Sequence, residues 1–306
     1  MAVIAVDCGG TNLKFARFES PGGPAVSAGS VPTPRRAAGI PEAILDAVVP
    51  LIDGRVTGIG VGVAGLADHT TGTLDWMPHA AGIRVPVSEL VGEATGLPVS
   101  LDNDANLAGL SEAMLGAGVG HRTVLAITLG TGIGAGLVID GVIEHGAGYL
   151  GEVGHLLIDP GGVRCPCGSF GCWETTVSGR VLDAAAVRLA GARPRGAWAA
   201  TIGNPGGEDL ARVAGTGDVD AIEAIAEAGR WLGLGLAGLV LVLDPDVIVV
   251  GGAAAGPGNL LFDSARVEMA GRIPGTPVRI PPAIVAGRFG GDAGLMGAAI
   301  MAVEVA

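Results

Sequence analysis

The sequence contains few aromatic residues and few basic ones. Only 3% of its 306 residues are aromatic and 16% are charged, whereas 49% are hydrophobic. This composition excludes a disordered chain, and it means that Ala, Val, Leu and Ile must build most of the core. The 18 Lys and Arg residues against 30 Asp and Glu residues give a formal net charge of −12. Because nucleic acids and anionic membranes are bound through clustered Lys and Arg, this charge disfavours both as partners.

The sequence also shows no secretion signal and no apolar run that is long enough to span a membrane. Met1 leads directly into an apolar strand over residues 2–6, without the basic region and cleavage site of a signal peptide. The most apolar stretch, residues 231–243, is shorter than the roughly 18–20 residues that a membrane helix needs. We therefore expect this stretch to be a buried helix and the protein to be cytoplasmic.

Two stretches of the chain begin in the same way, with an apolar strand that ends in a turn of Gly and Thr. The first stretch is residues 3–11, and the second is residues 124–132. Each is followed by a returning apolar strand, at 13–18 and at 136–139. The repeated pattern predicts two halves with the same topology.

The remaining hydrophobic periodicity predicts helices that alternate with strands. Helices are expected over 39–52, 87–95, 104–115, 181–190, 218–243 and 294–303, strands over 57–63, 98–101 and 246–250, and a loop over 193–208. The alternation predicts an α/β protein whose mixed sheets are covered by helices. A glycine-rich break near 115–121 would separate two lobes, with ligands in the cleft between them.

The two Gly/Thr turns are candidate phosphate-binding loops. Glycine lets backbone N–H groups approach a phosphate without a Cβ clash. The first turn carries Gly9, Gly10 and Thr11, and the second carries Thr131 and Gly132. Asp7, at the end of the preceding strand, is a candidate ligand for Mg²⁺. The alternative is that each turn is a hairpin that needs glycine only for its geometry. Neither turn fits a Walker or a dinucleotide-binding pattern.

An acidic turn, Asp102-Asn103-Asp104, follows a short predicted strand and opens a helix. These side chains could serve as helix caps. The functional interpretation is that Asp104 accepts the proton of a sugar hydroxyl while that oxygen attacks a γ-phosphorus. Asn103, which can both donate and accept hydrogen bonds, suits a ligand rich in hydroxyl groups.

Three of the four cysteines cluster within eight residues, close to a histidine. Cys165, Cys167 and Cys172 with His155 form a complete tetrahedral set of Zn²⁺ ligands. A site with four protein ligands has no open position, so the metal would be structural. A labile cysteine pair or plain buried thiols are the alternatives.

Together these motifs resemble those of the ROK family of sugar kinases, a branch of the actin-like ATPase superfamily. The resemblance covers the whole chain, with its most specific parts at residues 151–155 and 165–174. It implies two actin-like, ribonuclease H-like lobes, one of residues 1–117 with about 290–306 and one of 118–289 that contains the zinc-bound sugar-site loop. It also implies an ATP-dependent hexose kinase, most simply a glucokinase, with Asp104 as general base toward the 6-hydroxyl.

The resemblance also implies a role for each matching residue. The hexose would be bound by Gly65, His79, Asn103, Asp104, Glu152, His155 and Glu174. The nucleotide and its Mg²⁺ would be bound by Asp7, Gly9, Gly10, Thr11, Lys14, Thr131, Gly132, Gly251 and Gly252. The family further suggests a homodimer or homotetramer with no nucleic-acid or membrane partner.

Two positions depart from the family pattern. His79 and Ile83 occupy places where many members carry Asn and Trp, which leaves the identity of the hexose open. Mannose, fructose and N-acetylhexosamines are alternative substrates, and polyphosphate is an alternative donor. Transcriptional repressors of the family carry a DNA-binding module before the kinase-like part. Because Asp7 already lies in the first strand, we expect no such module here, and a non-catalytic sugar sensor is the remaining alternative.

Overall fold

The computed structural model describes residues 1–78, 80–193, 196–201, 203–275 and 278–304. The chain forms two compact units. The first comprises Met1–Val119, Gly136–Leu150 and Gly291–Ala306, and the second comprises Gly120–Ala135 and Gly151–Gly290. The predicted division differs from this one at residues 136–150, which were expected in the second lobe and group with the first unit.

The first unit is built on a five-stranded sheet and a smaller three-stranded one. The strands of the larger sheet are β1 (Ala2–Cys8), β2 (Asn12–Phe18), β3 (Ala25–Pro32), β4 (Val56–Val63) and β8 (Val99–Asn103). The small sheet contains β5 (Leu66–Asp68), β6 (Thr73–Met77) and β7 (Ala80–Val85). The helices are α1 (Ile40–Val48), α2 (Val87–Thr95), α3 (Asp104–Leu115) and α8 (Ala293–Glu304).

The second five-stranded sheet lies mainly in the second unit. Its strands are β9 (Thr123–Leu129), β10 (Ile133–Ile139), β11 (Val142–Glu144), β12 (Val247–Gly251) and β13 (Ala283–Ala286). The division between the units passes through β10. The helices of this unit are α4 (Gly179–Ala192), α5 (Gly207–Ala214), α6 (Val219–Leu243) and α7 (Asn259–Arg272).

The two large sheets have equivalent strand orders. The first runs β3-β2-β1-β4-β8 and the second β11-β10-β9-β12-β13. In the first, β1 pairs antiparallel with β2 and parallel with β4. In the second, β9 occupies the place of β1 and pairs parallel with β12. The predicted repeat and the predicted α/β class with mixed sheets are therefore confirmed.

Helix α8 belongs to the first unit and packs on its larger sheet. A β-carbon on Gly60 of β4 would overlap the backbone of Ala298, and one on Gly297 would overlap the backbone of Leu107. Glycine at these two positions therefore lets α8 approach both the sheet and α3. Buried residues of β1, α3 and α8 form one cluster on this face, while α1, α2 and the small sheet cover the other face.

Residues 136–150 join the first unit because α3 packs directly against them. A β-carbon on Gly136 would stand 2.7 Å from the carbonyl oxygen of Ala105, so the two backbones are in contact. Ile143 of β11 packs on the cluster that contains Leu107 and Leu110. A strand pattern reveals its period but not its packing partner, so the sequence does not predict this grouping.

The apolar stretch at 231–243 is the C-terminal half of α6. The whole helix has 25 residues and is long and apolar enough to cross a membrane by length and composition, so the length argument made from the sequence was wrong. Burial distinguishes a core helix from a membrane helix better than length does. Leu232, Leu236 and Val240 are buried in the core of the second unit. A β-carbon on Gly233 would overlap the backbone of Ala265 in α7. Helix α6 is thus a core helix, as predicted.

Several other boundaries differ from those predicted. The helix expected over 39–52 ends at Val48, and a 3-10 turn, Val49–Leu51, follows it. Pro50 explains the change, because it has no N–H to donate along the helix. The loop expected over 193–208 contains a 3-10 turn, Gly196–Ala200. The small sheet, the strands β3, β11 and β13, and the helices α5 and α7 were not predicted.

Candidate active site

The acidic turn lies where β8 ends and α3 begins. Asn103 is the N-cap of α3: its Oδ1 accepts hydrogen bonds from the backbone N–H groups of Ala105 (2.8 Å) and Asn106 (3.2 Å). Its Nδ2 donates to the carbonyl oxygen of Gly65 at 2.9 Å. The capping alternative therefore holds for Asn103, and its contact with a sugar stays a prediction.

Asp104 is the first residue of α3 and is half-buried. Its Oδ1 accepts a hydrogen bond from the N–H of Ala105 at 2.9 Å, which orients the carboxylate at the helix N-terminus. A carboxylate is stabilised there by the helix dipole. A β-carbon on Gly294 would stand 3.3 Å from Asp7 Oδ2 and 3.4 Å from the Asp104 carbonyl oxygen. Asp7 and Asp104 thus converge on the start of α8.

Behind this turn lies a contact that the sequence analysis missed. Asp102 is 2% exposed, and its Oδ2 lies 2.6 Å from Nε2 of His145. The His145 ring stacks on the ring of His69, with centroids 3.5 Å apart. Neither histidine has the spacing of a metal ligand, so the sequence does not mark either one as a neighbour of the acidic turn. Only the fold brings them next to the acidic turn.

The first Gly/Thr turn connects β1 to β2. The N–H of Gly9 donates to the carbonyl oxygen of Asn12 at 3.0 Å, which closes the hairpin. Thr33, which follows β3, donates from its hydroxyl to the Gly9 carbonyl (2.7 Å) and from its N–H to the Thr11 carbonyl (2.9 Å). The loop is therefore held from behind, with Gly10 and Thr11 exposed.

Asp7 stands beside this loop in a largely buried position. Burial raises its pKa from the ordinary 3.8 to about 6, and the charge of Asp292 adds to the rise, while Lys14 opposes it. Lys14 donates to the Gly291 carbonyl (2.6 Å) and pairs with Asp292 (3.0 Å). Lys14 thus ties β2 to the start of α8, and Asp292 is a charged neighbour of Asp7 that sequence reasoning did not identify.

The second Gly/Thr turn connects β9 to β10. The N–H of Gly130 donates to the carbonyl oxygen of Gly132 at 3.0 Å, and the N–H of Gly179 donates to the Gly130 carbonyl at 2.7 Å. The N-terminus of α4 therefore lies against this loop. Thr131 is exposed at its tip. Gly132 contacts the carboxylate of Glu174 so closely that a β-carbon would overlap Oε2.

The four candidate zinc ligands come together in the second unit. The ligand atoms of His155, Cys165, Cys167 and Cys172 all lie within 4.8 Å of one another. Cys167 Sγ is 3.7 Å from Cys172 Sγ, and Cys165 Sγ is 3.8 Å from His155 Nδ1. A tetrahedron with Zn–S bonds of about 2.3 Å has S···S edges of about 3.8 Å. The donor set therefore fits a zinc ion.

Glycine makes the tight turn of this cluster possible. Gly168 has a φ of 96° and Gly171 a φ of 67°, both in the region that favours glycine. Within the turn, the N–H of Cys165 donates to Ser169 O at 2.8 Å. Burial raises the pKa values of Cys165 and Cys172, whereas a backbone hydrogen bond lowers that of Cys167. Metal binding would displace the protons of the two buried thiols.

The two predicted sugar-binding glutamates flank this cluster. Glu174 Oε1 accepts a hydrogen bond from Cys165 Sγ at 3.0 Å. Glu152 Oε2 lies 3.7 Å from Nε2 of His155, the ring nitrogen that does not face Cys165. Burial raises the pKa of Glu152, and the charge of Glu174 raises it further, while His155 lowers it. The structure thus places Glu152 and Glu174 beside the candidate zinc ligands His155 and Cys165.

The remaining predicted positions are distributed between both units. Gly251 ends β12, and Gly252 follows it with a φ of 88° and its backbone against Leu129. Gly65 lies against the backbone of Trp76 in the small sheet. His79, expected to contact the sugar, lies outside the described residues.

Known proteins resemble this chain over its whole length. The ROK family profile matches residues 3–305. A glucokinase from Streptomyces coelicolor is 36% identical to the chain, covering 98% of it and 97% of the relative. The structure of a ROK family glucokinase from Streptomyces griseus in complex with glucose and AMPPNP matches with a TM-score of 0.88 and 36% identity, covering 99% of this chain and 100% of that one.

A ROK hexokinase structure from Thermus thermophilus matches with a TM-score of 0.76 and 34% identity, covering 99% of this chain and 98% of that one. Together with the repeated sheet order, these similarities confirm the expected two-lobed, actin-like α/β fold.

Proposed function

The chain belongs to the ROK family, and on that premise we propose that it is an ATP-dependent hexose kinase whose preferred substrate is glucose. The observation that carries the proposal is the full-length similarity to glucokinases, in a chain that has Asp104 at the start of α3. The similar Streptomyces griseus enzyme was solved with glucose and AMPPNP, a sugar and a nucleotide analogue.

In the proposed reaction, Asp104 is the general base. Its carboxylate accepts the proton of the 6-hydroxyl while the hydroxyl oxygen attacks the γ-phosphorus of ATP, and ADP leaves. Phosphoryl transfer requires alignment and charge neutralisation more than covalent help from the protein. The backbone hydrogen bond from Ala105 keeps one carboxylate oxygen in place, which supports this role.

The sugar would be bound by the residues that the family resemblance assigns to it. Asn103 offers its amide and Gly65 its backbone. Glu152, His155 and Glu174 offer acceptors and one ring nitrogen for neighbouring hydroxyls. Hydrogen bonds to charged groups discriminate strongly between hydroxyl patterns. Their grouping around the metal cluster supports a shared role.

The nucleotide phosphates would be bound by the two Gly/Thr turns. Gly9, Gly10 and Thr11 offer backbone N–H groups and a hydroxyl in the first unit, with Lys14 nearby. Thr131 and Gly132 offer the same in the second, with Gly251 and Gly252 on the adenosine side. Mg²⁺, a hard cation that takes oxygen ligands, would be held through Asp7. It would neutralise charge on the transferred phosphoryl group.

Zinc would occupy the cluster of His155, Cys165, Cys167 and Cys172 in a structural role. With four protein ligands, no position is left for water or substrate. The metal would fix the orientation of His155 and of the segment that carries Glu174. From the family resemblance we further propose a cytoplasmic enzyme that forms a homodimer or homotetramer.

A coupled assay of ADP release tests the proposal. The purified protein is incubated with MgATP and, separately, with glucose, mannose, fructose and N-acetylhexosamines, and polyphosphate replaces ATP in a parallel series. We expect the highest kcat/KM with glucose and ATP. A higher kcat/KM with another hexose would change the assigned substrate but not the assigned type of reaction. Sugar binding without any turnover would instead identify a non-catalytic sensor.

A further inference from the structure

Asp102 is a buried carboxylate whose two oxygens are both engaged. Oδ1 accepts hydrogen bonds from the backbone N–H of Asn103 at 2.6 Å and from Nδ2 of Asn106 at 2.9 Å. Oδ2 lies 2.6 Å from Nε2 of His145. A buried carboxylate must have such partners, because its desolvation is otherwise costly. Asp102 therefore holds residues on both sides of Asp104.

The imidazole of His145 contacts Asp102 although the two residues are far apart in the sequence. His145 directly follows β11, 43 positions away, and its side chain is 20% exposed. When Asp102 is ionised, Nε2–H of His145 donates to Oδ2, because a carboxylate offers only acceptors. This is a charge-assisted hydrogen bond, stronger than one between neutral groups.

The ring of His69 covers that of His145. The two rings are stacked, with centroids 3.5 Å apart and an angle of 8° between their planes. His69 lies in the loop between β5 and β6, and β5 directly follows Gly65, whose carbonyl accepts from Asn103. The segment from Gly65 to His69 thus contacts the acidic turn through the Gly65 carbonyl and contacts His145 through the His69 ring.

We infer that His145 is a positioning residue for the catalytic base: through Asp102 it fixes the turn of Asn103, Asp104 and Asn106. The inference rests on the proposed kinase function, since it assigns Asp104 the role of base. His145 reaches the turn through the carboxylate of Asp102. We therefore expect its effect on the orientation of Asp104 and not on ATP binding.

The chemistry of the contact distinguishes positioning from mere packing. Glutamine places its Nε2–H₂ donor where histidine has Nε2–H, so His145→Gln can keep the hydrogen bond to Asp102. Asparagine is too short to reach that point, and alanine has no donor. If His145 only filled space, the activity of the variants would depend on side-chain volume. If it positions the turn, their activity depends on whether the side chain has a hydrogen-bond donor that reaches Asp102.

The kinetic test compares His145→Ala, His145→Asn and His145→Gln with the wild type, using glucose and MgATP well below the unfolding temperature of each variant. We expect kcat to fall by about 10- to 100-fold for Ala and Asn, since a misplaced reacting group costs about that much. The Gln variant should keep most of the rate, and the KM for MgATP should stay within about twofold throughout. His121→Ala, a change at an exposed histidine of the second unit, is the matched control.

A second measurement does not depend on turnover. Hydrogen–deuterium exchange of the backbone amides at residues 103–106 should speed up about tenfold in His145→Asn and stay near wild type in His145→Gln. Equal kcat and equal exchange in the Asn and Gln variants would overturn the inference, as would a loss of stability with unchanged kcat per folded enzyme. If the wild type phosphorylates no sugar, the proposed function fails, and the exchange comparison alone decides whether His145 holds the turn.

Discussion

Gly132 of the second Gly/Thr turn and Glu174 are in direct contact, and a β-carbon on Gly132 would overlap the carboxylate of Glu174. The other oxygen of that carboxylate accepts a hydrogen bond from Cys165 at 3.0 Å. A single glutamate thus connects a proposed phosphate loop to the proposed metal cluster. The absence of a side chain at position 132 is what permits this arrangement.

Gly132→Ala should therefore weaken sugar binding. The added methyl group displaces the carboxylate of Glu174, which we propose as a hydrogen-bond acceptor for the sugar. Losing one hydrogen bond to a charged group costs about 1.5–3 kcal/mol, so the KM for glucose should rise roughly 10- to 100-fold. Steady-state kinetics at saturating MgATP measure the change.

Gly130→Ala is the matched control, since a β-carbon at that position meets no atom within 4 Å. Its glucose KM should stay within about twofold of wild type. If both variants show the same increase, the contact between Gly132 and Glu174 is not the cause.

Much of this architecture follows from local sequence signals. The two turns of Gly and Thr after apolar strands predict the repeated topology, because strand, turn and returning strand are all short-range features. The spacing of Cys165, Cys167 and Cys172 likewise predicts the cluster of candidate zinc ligands, since three of them lie within one turn. His155 lies only ten positions earlier.

Contacts that depend on long-range packing could not be predicted in this way. His145 has no spacing that marks it as a partner of Asp102, and His69 has none that marks it as a cover for His145. The same holds for Asp292, which meets Lys14 across 278 positions. Such pairs form only when α8 and the segment after β11 pack against the rest of the first unit. No hydrophobic periodicity in the sequence encodes that packing.

Cys172→Ser should remove zinc and lower stability. Serine is a poor replacement for a thiolate ligand of Zn²⁺, and the loss of a structural metal is among the larger effects of single mutations. We expect one zinc per wild-type chain by elemental analysis, much less in the variant, and a Tm that falls by about 5–15 °C. A strong zinc chelator should shift the wild type in the same direction.

Cys8→Ala is the control for this experiment, because Cys8 is also buried but lies in the first unit, apart from the cluster. It should keep its zinc. A wild-type protein that contains no zinc after purification in metal-replete medium would contradict the structural role of the cluster.

Asp7→Asn should stabilise the free protein at neutral pH while it impairs catalysis. The folded-state pKa of Asp7 is raised from 3.8 to about 6, so folding disfavours the charged form. The stabilisation associated with protonated Asp7 is present below pH 3.8 and is lost as the pH rises through about 6. Above that pH the ionised carboxylate costs up to about 3 kcal/mol of unfolding free energy.

The neutral amide avoids this cost. Without Mg²⁺ and nucleotide, Asp7→Asn should be more stable than wild type at pH 8 by up to that amount, and the difference should largely disappear by pH 4. Denaturant unfolding at the two pH values measures it. Exposed Asp46, changed to Asn, should show no such pH-dependent gain. A variant less stable than wild type at pH 8 would contradict the proposed origin of the raised pKa.

Asp104→Asn should abolish most turnover while the fold and sugar binding survive. Asparagine keeps an oxygen that can accept the N–H of Ala105, so the start of α3 stays intact. It cannot take the proton of the 6-hydroxyl, and loss of a general base costs about 10²- to 10⁴-fold in rate. We expect kcat to fall by that factor, with a glucose Kd from calorimetry within about tenfold of wild type. Asp46→Asn on α1 makes the same chemical change at an exposed carboxylate and should leave kcat unchanged. Because the two variants differ only in where the negative charge is removed, a near-normal rate in Asp104→Asn would mean that another group accepts the proton.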